Sequence, residues 1–160
     1  MQEKQSEKEL LLKYIQPGLA GLMDGSVSTL APLFAAAFAT QSAHIAFIIG
    51  MSAATGAGIS MAFAEGLSDN GALTGRGHPF VRGGITGIMT LIGGIFHTLP
   101  FLISDLHQAL LFSYVIVGIE LIVIALIRNR YFKMSFWLSV LQVVFGGILV
   151  FIAGVLIGKS

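Results

Sequence analysis

Residues 21–40 read GLMDGSVSTLAPLFAAAFAT, a stretch made for hydrocarbon except at its fourth position, where Asp24 places a carboxylate. An acid in mid-helix costs at least about 2.5–3.5 kcal/mol on insertion scales, so such residues face a bundle interior or an aqueous path and count as functional candidates. The surrounding chain makes the bilayer its solvent. Of 160 residues, 55% are hydrophobic and only 11% charged, and the mean hydropathy is +0.86, well above that of a soluble domain. Runs of about 20 apolar residues, the length that crosses about 30 Å of hydrocarbon, occur at about 17–40, 43–66, 82–104, 108–127 and 136–158. The expected fold is therefore all-α, a polytopic membrane protein of five transmembrane helices. These runs use nearly the whole sequence and leave no room within it for a soluble domain.

Charge position orients the spans. Lys4, Lys8 and Lys13 precede the first, Arg76 and Arg82 follow the second, and Arg128, Arg130 and Lys133 follow the fourth, leaving Lys159 alone for the other side. Short loops rich in Lys and Arg stay cytoplasmic, so the N-terminus is expected in the cytoplasm and the C-terminus outside. A cleaved signal peptide fits poorly, because Asp24 interrupts its would-be apolar core and Glu is mixed with Lys before it. Residues 1–16 form either a short amphipathic cytoplasmic helix near the membrane surface, with Glu9 and Lys13 spaced i, i+4, or a solubilising tail; residues 17–160 form the five-helix membrane domain. The loop LSDNGALTGRGHP, rich in turn formers, is expected only to join spans two and three. With no Cys there is no disulfide framework and no thiolate metal site. Gly21 with Gly25, Gly83 with Gly87 and Gly154 with Gly158 each make a G-x-x-x-G, which serves close helix packing or a subunit interface; the Gly21–Gly25 pair is expected to let two first spans approach.

Three acids lie in the apolar runs: Asp24, Glu65 and Glu120. At about 1.5 Å per residue, Asp24 lies roughly 10 Å and Glu120 roughly 12 Å from the cytoplasmic edge, with Glu65 shallower at about 6 Å, so the three are expected to converge on the cytoplasmic third. Met61 stands one turn from Glu65, and Met23 adjoins Asp24. Oxygen ligands alone suit Mg²⁺ or Ca²⁺; adding a soft thioether shifts the preference toward transition metals, although Met also serves as core filler. His97, just before Pro100, is a packing residue or a proton relay.

LMDGSVSTLAPLFAAAFAT followed by GAGISMAFAEGLS resembles the first two spans of the vacuolar iron transporter family, with its Asp-Gly in span one and its Ser-Met-x-x-x-Glu on span two. The closer resemblance is to the membrane half of membrane-bound erythrin and vacuolar-iron-transport fusion proteins, which also carry stretches like LSDNGALTGRGHP and GGIFHTLPFLI. It implies a homodimer in the lipid bilayer that moves Fe²⁺, and often Mn²⁺, out of the cytosol in exchange for protons. Asp24 and Met61 are then expected to line the metal path between the two first spans, with Glu65 at its cytoplasmic entrance. Glu120 and His97 would hold a proton or support the bundle. Two features depart from the family. No glutamate-rich domain separates spans two and three, and there is no Glu-x-x-His pair for a ferritin-like di-iron centre, so metal capture is simpler or depends on a separate ferritin-like or other iron-donor protein. The expected location is a bacterial inner (plasma) membrane. No resident cofactor and no nucleic-acid partner is expected. The rivals are a structural or regulatory membrane protein without flux, and a proton-coupled exporter of another cation. No Ser-His-Asp constellation or metal-hydrolase motif points to an enzyme, so no catalytic residue is assigned.

Overall fold

A computed structural model describes residues 2–71 and 74–160, with side chains from residue 5 onward. Met1, the side chain of Lys4, and Ala72 and Leu73 of the expected turn lie outside the described residues. Helices α1 (Gln2–Leu10), α2 (Gln16–Ser28), α3 (Leu30–Thr40), α4 (Ala43–Gly66), α5 (Pro79–Phe96), α6 (Leu106–Phe132) and α7 (Phe136–Lys159) follow one another, and the described residues contain no strand. Five helical runs are long and apolar enough to cross a membrane: Gln5–Thr40, Ala43–Gly66, Pro79–Phe96, Leu106–Phe132 and Phe136–Lys159. The second and fifth agree with the hydropathy reading to within a residue. The first is longer, the third shorter and the fourth longer than hydropathy alone gave.

Prolines account for the first and third of those differences. Pro17 has no N–H for the carbonyl of Lys13, and the turn before it, Leu11–Ile15, is wound as a π-helix in which Gln16 N–H donates to the Leu11 carbonyl. Helix therefore runs on through the point where hydropathy placed a boundary. Pro32 likewise leaves the Ser28 carbonyl without its donor, and the first span opens at Thr29, between α2 and α3. Near the other end of α5, Pro100 sits in a 3₁₀ turn, Leu99–Leu102, so α5 stops after 18 residues, or about 27 Å. Gln41 ends α3 in the left-handed region (φ 52°), and Ser42 caps α4 by accepting from Ile45 N–H at 3.3 Å. Asp105 caps α6 in the same way, accepting from Gln108 N–H at 2.8 Å.

Helix α5 is the centre of the bundle. Pro17 and Gly21 of α2 pack at Thr86, Gly25 at Thr90 and Thr29 at His97, so α2 and α5 run parallel. On another side Gly66 meets Pro79, Ala62 meets Gly83 and Gly87, and Ala54 meets Gly94, so α4 runs antiparallel to α5. Ala31 and Ala35 of α3 rest on Gly154 and Gly158 of α7 in parallel. Spans consecutive in the chain thus alternate in direction, while the first packs in parallel on the third and fifth. The three G-x-x-x-G pairs in the spans, Gly21–Gly25, Gly83–Gly87 and Gly154–Gly158, are all consumed inside the chain: a methyl added at Gly21 or Gly25 would run into the carbonyl of Thr86 or Thr90. That corrects the expectation that Gly21 and Gly25 bring two first spans together. The glycines left open are Gly56, Gly84, Gly118 and Gly146, each with free space around it, and Gly75 in the loop. Leu30, Leu33, Phe34, Ala37 and Phe101 form one apolar core, and Leu19, Leu22, Leu121, Ile124 and Val143 a second.

Candidate functional site

Because α5 touches both α2 and α4, it serves as a ruler for the ionisable side chains. At its first turn Arg82 is fully buried and reaches back to the end of α4. Arg82 Nε donates to Glu65 Oε1 at 2.9 Å, and Nη1 and Nη2 donate to the two oxygens of Asp69 at 3.2 Å each, the fork-on-fork pairing that a guanidinium favours. The two remaining guanidinium hydrogens are shared among Ser68 Oγ at 3.1 Å and Glu65 O at 3.3 Å, both near Nη2, and Gly77 O at 3.4 Å from Nη1. Arg76, from the loop, adds a second guanidinium, with Nη2 on Glu65 Oε1 at 2.6 Å and Nη1 on Asp69 Oδ2 at 3.5 Å. Two carboxylates and two guanidiniums leave the cluster neutral, which makes its burial tolerable. The hydrogen bonds from Arg82 hold the Asp69 carboxyl below its usual range, helped by Gly71 N–H and the Thr74 hydroxyl. A groove of about 640 Å³ opens beside this cluster between α4 and α5, walled by Phe63, Leu67, Phe80 and glycines and offering a cation little beyond Asp69 and Asn70.

Asp24 lies at the middle of the ruler. Gly25 packs at Thr90, eight residues or about 12 Å along α5 from Arg82. Asp24 is half-buried, among the described residues it forms no ion pair, and the Ser28 hydroxyl one turn on is its polar neighbour. Ala20 and Ser28, i−4 and i+4 to it, are exposed, so the acid lies on a face of α2 that this chain leaves uncovered. Met61, also half-buried, stands on α4 between Gly58, which meets Gly87, and Ala62, which meets Gly83 and Gly87. Its level is therefore between the arginine cluster and Asp24. Met23, by contrast, packs on the Leu19–Leu22–Ile124 core and is filler.

At the far end of α5, His97 is fully buried and joins two other spans. Its Nδ1 lies 3.0 Å from Glu120 Oε2 of α6, and its Nε2 lies 2.8 Å from Thr29 Oγ1 at the break in the first span. Thr29 Oγ1 donates to the Gly25 carbonyl at 2.7 Å, and Ser113 Oγ donates to the His97 carbonyl at 2.7 Å. Glu120 is 7% exposed, and its second oxygen, Oε1, is buried without a partner.

The three acids expected to converge are thus spread along the bundle. Glu65 and Glu120 contact α5 at residues 15 apart, about 22 Å, with Asp24 between them. The depth assigned to Glu120 from sequence assumed a fourth span ending at Arg128. Helix α6 instead runs 27 residues to Phe132, and α5 stops short at His97, so Glu120 meets the end of α5 farthest from Glu65. Among the described residues no group of three His, Asp or Glu side chains is placed to hold a metal within one chain. Sequence reasoning missed Arg82, which it counted as a loop charge. The signal was present, since Arg82 opens the apolar run FVRGGITGIM and a buried arginine demands carboxylates nearby.

Comparison with curated proteins and with solved structures gave no match. Comparison with protein families did: residues 65–159, more than half the chain and all of the last three spans, match the VIT family, although Asp24 and Met61 fall outside that match. A five-span all-helical bundle with acids along its interior and this match agree with one another, and the chain belongs to the VIT family, the vacuolar iron transporters, which are membrane transporters of metal ions.

Proposed function

We propose that the protein exports a divalent transition metal, Fe²⁺ and with it Mn²⁺, from the cytosol in exchange for protons, and that it does so as a homodimer in a bacterial inner membrane with its N-terminus inside. One observation carries this reading: Asp24 sits in mid-span on an uncovered face of α2, with no ion-pair partner among the described residues. Facing lipid, a carboxylate there would be costly; facing the same residue of a second copy, it lines a path between subunits. One carboxylate holds either a proton or a dication, which is the simplest means of exchanging them, and the thioether of Met61 favours a transition metal over Mg²⁺ or Ca²⁺. Glu65 is the entrance residue of the path. In the described state it is occupied by two guanidiniums, of which Arg76, 23% exposed and held by a loop, is the one an arriving dication displaces. Arg82 stays as the anchor. Glu120 and His97 act as supporting groups away from the metal. Iron reaches the entrance unaided or from a separate ferritin-like donor.

The absence of cysteine makes the dimer simple to test. Ala20→Cys, on the uncovered face one turn before Asp24, is expected to cross-link to its counterpart in native membranes, whereas a cysteine at Gly21, buried against Thr86, disrupts α2–α5 packing. Monomer alone for Ala20→Cys, in membranes and in mild detergent, counts against a path between first spans.

A further inference from the structure

The hydroxyl of Thr29 carries a single hydrogen and has two neighbours, the Gly25 carbonyl at 2.7 Å and His97 Nε2 at 2.8 Å. A carbonyl can only accept, and the Gly25 carbonyl lies beside the helix break, where Thr29 N–H has turned instead to Val27. The hydroxyl hydrogen therefore goes to Gly25, and His97 Nε2 must be the donor to Thr29. That fixes the other side of the ring. Nδ1 faces Glu120 Oε2 at 3.0 Å, and one proton must lie between them: on Glu120 if the imidazole is neutral, on Nδ1 if it is charged. Without that proton a nitrogen lone pair would confront a carboxylate in a site that excludes water, and the contact would open. Glu120 Oε1 is buried with no partner among the described residues, so the protein itself does not ring the carboxyl with the donors that normally settle a permanent charge.

We infer that Glu120 and His97 form a second proton site, separate from Asp24, whose one dissociable proton holds the break in the first span closed through Thr29. This rests on the transport reading above. The surrounding ionisable groups do not compete. Helix α3, the 3₁₀ turn and the buried part of α7 carry none; α4 has His44 and Glu65 only at its ends, and α7 has Lys159 only at its end. From α5 the other charge is Arg82, about 22 Å away and already paired. On α6, Tyr114 stacks on Phe34, while Asp105, His107, Arg128, Arg130 and Tyr131 lie near the helix ends. Asp24 on α2 is the nearest, and it is linked to the site through the backbone: Gly25, which accepts from Thr29, is its neighbour in sequence. Losing the proton at Glu120 frees Thr29, and with it the turn of helix that carries Asp24.

Two measurements separate this inference from the transport reading. In the wild-type protein in detergent, labelled with ¹³C-glutamate, infrared difference spectra on raising the pH should show loss of a buried carboxylic-acid band that the label shifts and that Glu120→Gln abolishes. A set of glutamate bands that are all solvent-like, or a buried band retained in Glu120→Gln, overturns the proton site whether or not metal moves. In vesicles, Glu120→Gln and Thr29→Val should each move metal with one fewer proton per ion than wild type and lose most of its pH dependence. Wild-type stoichiometry and pH profile in both variants would overturn the coupling through Thr29. Absence of metal flux in the wild type would sink the transport reading and leave the infrared result to decide the site.

Discussion

Asp24→Asn is expected to reduce metal transport by roughly 100-fold or more, beyond the 10–100-fold that follows loss of a merely supporting partner. The amide is nearly isosteric and still offers the Ser28 hydroxyl an acceptor, so a purely structural role for Asp24 would survive the change. It can neither ionise nor neutralise a dication. The variant should insert, fold and cross-link through Ala20→Cys as the parent does, yet lose both metal movement and the proton movement that accompanies it. Metal uptake and vesicle pH recorded together check this. Transport at the parental rate, with its pH dependence intact, would make Asp24 a packing residue.

Arg82→Met should cause the largest loss of stability of any single change near the site. Arg82 is fully buried and binds two carboxylates that are themselves 16% and 25% exposed, so removing it strands negative charge at the membrane end of α4. Breaking a buried pair in this way costs about 3–5 kcal/mol. The expected readout is a lower Tm in detergent and a smaller monodisperse fraction, only partly restored by Arg82→Lys, whose point charge does not reproduce the fork on Asp69. The dependence on pH has a definite sign. Asp69 is held below the usual carboxylate range, chiefly by Arg82, so its stabilising contribution is complete above that range, fades as the pH falls through it, and is gone below the depressed value of the folded state. A melting temperature unchanged in Arg82→Met would show the cluster to be dispensable.

Hydropathy was enough to read the number of spans and the place of the second and fifth, because covering the hydrocarbon is a demand on length and apolarity that any one segment reveals. The π-helical turn before Pro17, the opening near Pro32 and the early end of α5 near Pro100 were readable in principle, because each proline removes a known donor. The partners of the ionisable groups were not. Arg82 meets Glu65 across 17 residues, and His97 meets Glu120 across 23; both pairings depend on α5 being short and central, which hydropathy, blind to which helix is enclosed, does not report. The glycine pairs misled for the same reason. A G-x-x-x-G states that some backbone comes close, and only packing tells that for Gly21 and Gly25 it is α5 of the same chain.

Purified protein in sealed vesicles, with Fe²⁺ or Mn²⁺ outside and a pH gradient imposed across the membrane, tests proton-coupled metal transport most directly. Metal should accumulate against its own gradient only when the vesicle interior is the more acidic, with alkalinisation inside in step with uptake, and collapsing the pH gradient should abolish accumulation. Accumulation indifferent to the gradient, or none in vesicles whose protein is folded and dimeric, would contradict the account.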